Sequence, residues 1–174
     1  ELTDVAPASG ARIYLTQSEA ILDLPGSVRV PAGNRTVSLA ARSVPVPATT
    51  NLRITATYGT SSVSRVVKIN PPRLTSITVQ SKIRGGGVGR VSVKLASPAP
   101  KGGMTVRLNS SRPSLFPVPS AITVPSGATT AAVRVPVTQV SRDADVTVSA
   151  LLNGISVEDL KQIEYSYRDL IKMA

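Results

Sequence analysis

Among the residues that could do chemistry, the only closely spaced acids in the main body of this 174-residue chain are Asp143-Ala144-Asp145. Two carboxylates so placed suit a calcium site, which wants six to eight oxygens. Suitably positioned, they would also suit the acid and base of glycoside hydrolysis. Outside the last 17 residues the other acids are Glu1, Asp4, Glu19 and Asp23, so backbone or tail acids would have to complete any calcium shell. The plainer reading is a polar loop before a strand. The chain has no His, the usual general base and commonest metal ligand. It has no Cys, so a zinc site and a thiolate nucleophile are excluded with it. Gly-x-Ser-x-Gly, the elbow of serine hydrolases, is absent. Gly85-Gly86-Gly87 is a weak match to a phosphate loop: no Lys-Ser/Thr follows, and the run leads into a strand pattern rather than a helix.

Asn34-Arg35-Thr36 and Asn109-Ser110-Ser111 fit the N-glycosylation acceptor pattern, which is short enough to arise by chance. Tyr14, Tyr58 and Phe116 read as core or rim packing, with a sugar-stacking platform as the competing reading. No catalytic, cofactor-binding or metal residue is assigned, and no binding residue can be named.

The elements that would have to position any site follow from an internal repeat. Ser120-Ala121-Ile122-Thr123-Val124-Pro125-Ser126-Gly127 echoes Gly26-Ser27-Val28-Arg29-Val30-Pro31-Ala32-Gly33. The match runs on in register. Pro25, Thr36, Val46, Ala56, Ser62 and Val63 meet identical residues at Pro119, Thr130, Val140, Ala150, Ser156 and Val157. Residues 1–10 align with 94–103. The first copy therefore has no counterpart of 74–93, the two opening strands of the second copy. Its sheets are expected to expose edges and an apolar face. The Asp143–Asp145 pair matches Thr49-Thr50-Asn51, which argues against a calcium site repeated at each joint.

Short strands are predicted at sandwich spacing. In the first copy they fall at 12–15, 21–24, 27–30, 35–41, 51–58 and 62–69. At 51–58, Leu52, Ile54, Ala56 and Tyr58 share one face and Arg53, Thr55 and Thr57 the other, the mark of one buried and one wet side. Val44-Pro45-Val46-Pro47 reads as an edge or crossing, because Pro cannot donate to a ladder. Asn70-Pro71-Pro72-Arg73 is a short, stiff joint. The second copy has strands at 74–80, 88–95, 104–108, 122–124, 130–137 and 146–152, and Asn153-Gly154 is a two-residue hairpin signal.

The pattern changes at Glu158. Residues 158–174 hold four of the ten acids and two of the four tyrosines. Leu160, Ile163, Tyr167, Leu170, Ile171 and Ala174 form one helical stripe, so the segment is expected to be a helix, native or appended. The competing reading is a strand, because Ile163, Tyr165 and Tyr167 also alternate.

Composition bounds the partners. With no Trp and one Phe, the core must be aliphatic. A formal net charge of +10 favours either a soluble Arg-rich surface or attraction to something anionic. The cations are scattered singly and no aromatic residues interleave with them, so nucleic acid is not expected. No apolar run of membrane-spanning length occurs, so membrane insertion is not expected either. Cys-free strands fit a bacterial surface protein better than an extracellular eukaryotic Ig domain, although an intracellular protein would lack disulfides too.

Several stretches carry a resemblance to a known family. They are Leu95-Ala-Ser-Pro-Ala-Pro-Lys-Gly-Gly103, Arg107-Leu-Asn-Ser-Ser-Arg-Pro-Ser114, Ile122-Thr-Val-Pro-Ser-Gly-Ala-Thr-Thr130 and the Asn70-Pro-Pro72 joint. Over about residues 1–157 the chain resembles the bacterial Ig-like tandem repeats of surface and adhesin-type proteins. That resemblance implies an all-β fold of two tandem Ig-like β-sandwich modules. Residues 1–70 would be an incomplete sandwich, 71–157 a complete or near-complete one, and 158–174 a short helical tail. It implies no cofactor and no enzyme activity, but an extracellular or cell-surface spacer or stalk segment with adhesive duties. A binding module for anionic polysaccharide or cell-surface polymer, or an accessory module of a secreted hydrolase, is the alternative. The expected partners are other modules of the same parent protein, further copies joined through missing or donated strands, and an anionic surface polymer.

Overall fold

The computed structural model describes residues 1–80 and 83–164. Every regular element among them is a β-strand, so the fold is all-β. The chain divides into two units, Glu1–Pro71 and Pro72–Ala174.

The first unit holds β1 (Ala11–Gln17), β2 (Ser27–Val30), β3 (Thr50–Tyr58) and β4 (Ser61–Ile69). They make one antiparallel sheet in the order β2-β1-β3-β4. Its interior is split between two small clusters. One is Ala6, Ala11 and Val30. The other is Ile21, Val46 and Leu52, with the Val-Pro segment laying Val46 against the sheet.

The alternating stretch 35–41, expected as a strand, is not one, and Ile21–Leu24 is reduced to a single bridge between Leu22 and Ser43. The physical reason is pairing. A period of two decides which side chains share a face, but a strand also needs a neighbour to take its N–H and C=O groups. Among the described residues, backbone bonds reach 35–42 only at its ends, where Leu2 N–H donates to Arg35 O and Asp23 N–H to Arg42 O.

The second unit holds β5 (Leu74–Val79), β6 (Ile83–Arg84), β7 (Val88–Leu95), β8 (Met104–Ser110), β9 (Ala121–Val124), β10 (Thr130–Pro136), β11 (Ala144–Leu152) and β12 (Ile155–Glu164). Two sheets, β10-β7-β5 and β6-β12-β11-β8-β9, form a β-sandwich. Alternate residues point inward from both. Ile77, Val79, Val91, Val93 and Leu95 meet Val106, Leu108, Val124, Val146, Val148, Ala150 and Ile163, with Phe116 fully buried in the same cluster. Each such Val, Leu, Ile or Phe side chain contributes roughly 1.5–3 kcal/mol by leaving water, so the continuous core makes this the sturdier unit. The β11–β12 turn has positive φ at Asn153 (49°) and Gly154 (79°), the geometry that an Asn-Gly hairpin supplies without strain.

The sheet of the first unit and four strands of the second share order and register. Ala11 faces Val30 as Met104 faces Val124, and Tyr14 faces Thr57 as Arg107 faces Leu151. Thr50 faces Ile69 as Ala144 faces Ile163. Turns correspond too: Gly33 N–H donates to Ala6 O, and Gly127 N–H to Ala99 O.

The helix expected from Glu158 is corrected over its first seven residues. Residues 158–164 continue β12 and pair with β11 without a break as far as Ile163 opposite Ala144. Three bonding opportunities outweigh the helical stripe. They are the β11 ladder, a short parallel pairing of Ile163 and Glu164 with Ile83 and Arg84, and burial of Ile163 at 0% exposure. The rest of the expected helix, 165–174, lies outside the described residues.

Candidate functional site

The strands of the outer sheet β10-β7-β5 alternate apolar and polar residues, so their second face turns to water. That face carries Arg90 and Lys94 from β7 and Arg134 from β10, interleaved with Thr78, Ser92 and Thr130. None of the three strands contains an acid. Arg90 stands directly opposite Arg134 in the ladder. Like charges facing each other across strands repel, so the pair is a place where an anion would relieve strain. Gln80, Val88, Gly89, Arg90, Arg134 and Pro136 line an open concavity of about 630 Å³ there.

The first unit repeats the arrangement on its outer face. Arg12 of β1 stands opposite Arg29 of β2, and strands β1 to β4 hold no acid. Arg29 Nη2 also donates to the Ser9 carbonyl, which fixes its direction. These juxtapositions were missed from sequence because they depend on register, which no residue type announces.

The residues singled out by type are dispersed. Asp145 is exposed on β11 opposite Gln162, and Asp143 is exposed in the loop before it. Among the described residues no three or more acids gather as a metal-binding group. The glycine run is a backbone junction. Gly85 N–H donates to Glu164 O, Gly86 N–H to Val137 O and Gly87 N–H to Arg84 O, so all three donors already have carbonyl partners. An added Cβ on Gly85 would stand 2.9 Å from Val140 N, which explains a residue without a side chain there. Asn34 is exposed in a turn and Asn109 exposed on β8. Of the aromatic residues, Phe116 is core, whereas Tyr14 and Tyr58 are 55% and 42% exposed.

One ionic feature had no signal by type. Asp159 on β12 pairs with Lys161 at 3.0 Å and accepts the Val79 N–H at 2.7 Å, tying β12 to the edge of β5 in the opposing sheet. Its counterpart in the first copy is Arg65, so the repeat gave no hint of it.

No protein-family model matches the chain, and no curated protein matches it. Among solved structures it is similar to the apo form of β-glucuronidase 3 of Bacteroides uniformis, at 14% identity and a TM-score of 0.34, over 91% of this chain and 23% of that one. It is also similar to a Parabacteroides merdae β-glucuronidase, at 11% identity and a TM-score of 0.33, over 90% of this chain and 21% of that one. The chain thus spans less than a quarter of either protein, and at such values neither activity nor substrate passes from them to it.

Proposed function

We propose that this chain is a non-catalytic structural segment. It comprises two Ig-like β-sandwich modules in tandem, the first lacking its opening strands, serving as a spacer or stalk in a bacterial surface protein. The observation that carries the reading is the duplicated four-strand ladder, with Thr50 opposite Ile69 in one copy and Ala144 opposite Ile163 in the other. Repetition of one module sets length, and Pro71-Pro72 between the copies limits bending. The chain's lack of His and Cys fits load-bearing better than covalent chemistry. The test is a turnover screen against glycoside, ester and peptide substrates, together with single-molecule stretching. The expected result is no rate above buffer and discrete unfolding of β units under load. A saturable rate that disappears on unfolding would overturn the reading.

A second reading rests on the opposed arginines. Arg90 facing Arg134, on strands devoid of carboxylates, supports attachment to an acidic polysaccharide of the cell surface. Retention on a sulfated polysaccharide at low salt, lost as salt screens the charges, would favour this binding role over a bare spacer.

A further inference from the structure

Residues 36–42 and β10 occupy the same place in the repeat but not the same state. Val37, Leu39 and Ala41 match Ala131, Val133 and Val135. In the second unit these residues form β10, paired with β7 from Thr130 opposite Lys94 to Pro136 opposite Val88. Val135 is 1% exposed, and Ala131 and Val133 pack on the core. In the first unit the segment forms no strand, and Val37 and Leu39 are each 38% exposed.

The sheet beneath does not explain the difference, because its strand order and register are the same in both units. Its inner face is nevertheless only partly covered in the first, where Ala11, Val30 and Leu52 are buried and the rest is open. Ile13 and Ile54 are half-buried, and Tyr58 and Val63 are exposed. Their counterparts Val106 and Val148 are fully buried, Leu152 is buried and Val157 is half-buried. What the second unit has in addition is the neighbour of β10, namely β7. Its inward residues Val91, Val93 and Leu95 are all 1% exposed or less.

We propose that residues 36–42, with the open part of the β1–β3–β4 inner face, are an acceptor for one extended strand of the β7 pattern supplied by a polypeptide segment that is not part of a second copy of this chain. The occupant carries aliphatic residues at alternate positions, to stand opposite Val37 and Leu39 as Val93 and Val91 stand opposite Ala131 and Val133. It carries polar or basic residues between them, as β7 does with Arg90, Ser92 and Lys94. Backbone bonds to 36–42 supply affinity and the alternate side chains supply register, the physics of strand addition. This inference stands apart from the spacer reading and does not need it.

The test is amide exchange on the full chain with and without a capped synthetic peptide copying residues 87–96. The expected result is slowing on the order of tenfold or more across 36–42, because paired amides exchange only on opening. Residues 130–136, already paired, should not change. A peptide with Lys in place of both Val91 and Val93 should be inert. Leu39→Asp in the protein should abolish the gain while leaving exchange at 50–58 as it was, which shows that the sheet still folds. No slowing at 36–42 overturns the proposal. So does slowing confined to the free edge at 61–69 or to 130–136, or equal slowing with the Lys peptide. Slowing at 36–42 by self-association that the peptide does not compete away assigns the site to a second copy and overturns it as well.

Discussion

The Asp159 carboxylate accepts the backbone N–H of Val79 at 2.7 Å across the two sheets of the second unit. Val79 ends β5, one of the two edge strands of its sheet, and is 1% exposed. An edge N–H at that depth has no water to turn to, and an acid from the opposing sheet satisfies it. Lys161, two residues along the same face of β12, pairs with the same carboxylate at 3.0 Å.

Replacing Asp159 with Ala should therefore lower the stability of the second unit by about 1.5–3 kcal/mol, the range for a hydrogen bond to a charged group. Asp159→Asn, which keeps a carbonyl acceptor, should lose less. Urea unfolding of both variants gives the ranking, and an equal loss for the two would mean that charge alone matters.

Gly89 sits against the ring of Phe116: a Cβ there would lie 2.7 Å from Phe116 Cε2. Gly89→Ala should destabilise the second unit by about 1–3 kcal/mol through overpacking. Phe116→Leu opens room at the same spot. The double variant should therefore lose less than the two single losses combined, a coupling readable in a thermal double-mutant cycle.

Ile69 and Ile163 are the same residue at the same register position, opposite Thr50 and Ala144. Ile163 is fully buried and Ile69 only partly. Ile163→Ala should cost about 2–5 kcal/mol, the usual range for a buried Ile truncated to Ala. Ile69→Ala should cost less than half as much. Exchange rates at the β11–β12 and β3–β4 ladders report each unit separately.

Arg134→Glu turns a repelling cross-strand pair with Arg90 into an attracting one. Stability of the second unit should rise by about 0.2–1 kcal/mol. Elution from a sulfated polysaccharide column should move to lower salt. An unchanged elution position would remove this face from the anion-binding reading.

The sequence carried the architecture where local chemistry and long-range pairing agreed. Leu52, Ile54 and Ala56 alternate on β3 as their period requires, and Asn153-Gly154 makes the turn its φ angles permit. It misled where the two part. Residues 35–41 have a strand's alternation but no partner strand among the described residues, and 158–164 have a helix's stripe but a waiting ladder in β11. The Arg90–Arg134 juxtaposition and the Asp159 bridge depend on register and on the meeting of two sheets, neither of which is written in residue spacing. Tyr58 shows the same limit from the other side. It lies on the face its alternation assigns, yet that face is uncovered there and the ring is 42% exposed.

One four-strand ladder occurs twice, and among the described residues only the second copy carries the sheet which closes it. Amide exchange on the free, monomeric chain tests this most directly. Slow exchange is expected at 50–58 and 144–152 alike and at 130–136, with near-unprotected exchange at 36–42. Protection at 36–42 equal to that at 130–136 in the isolated monomer would contradict it.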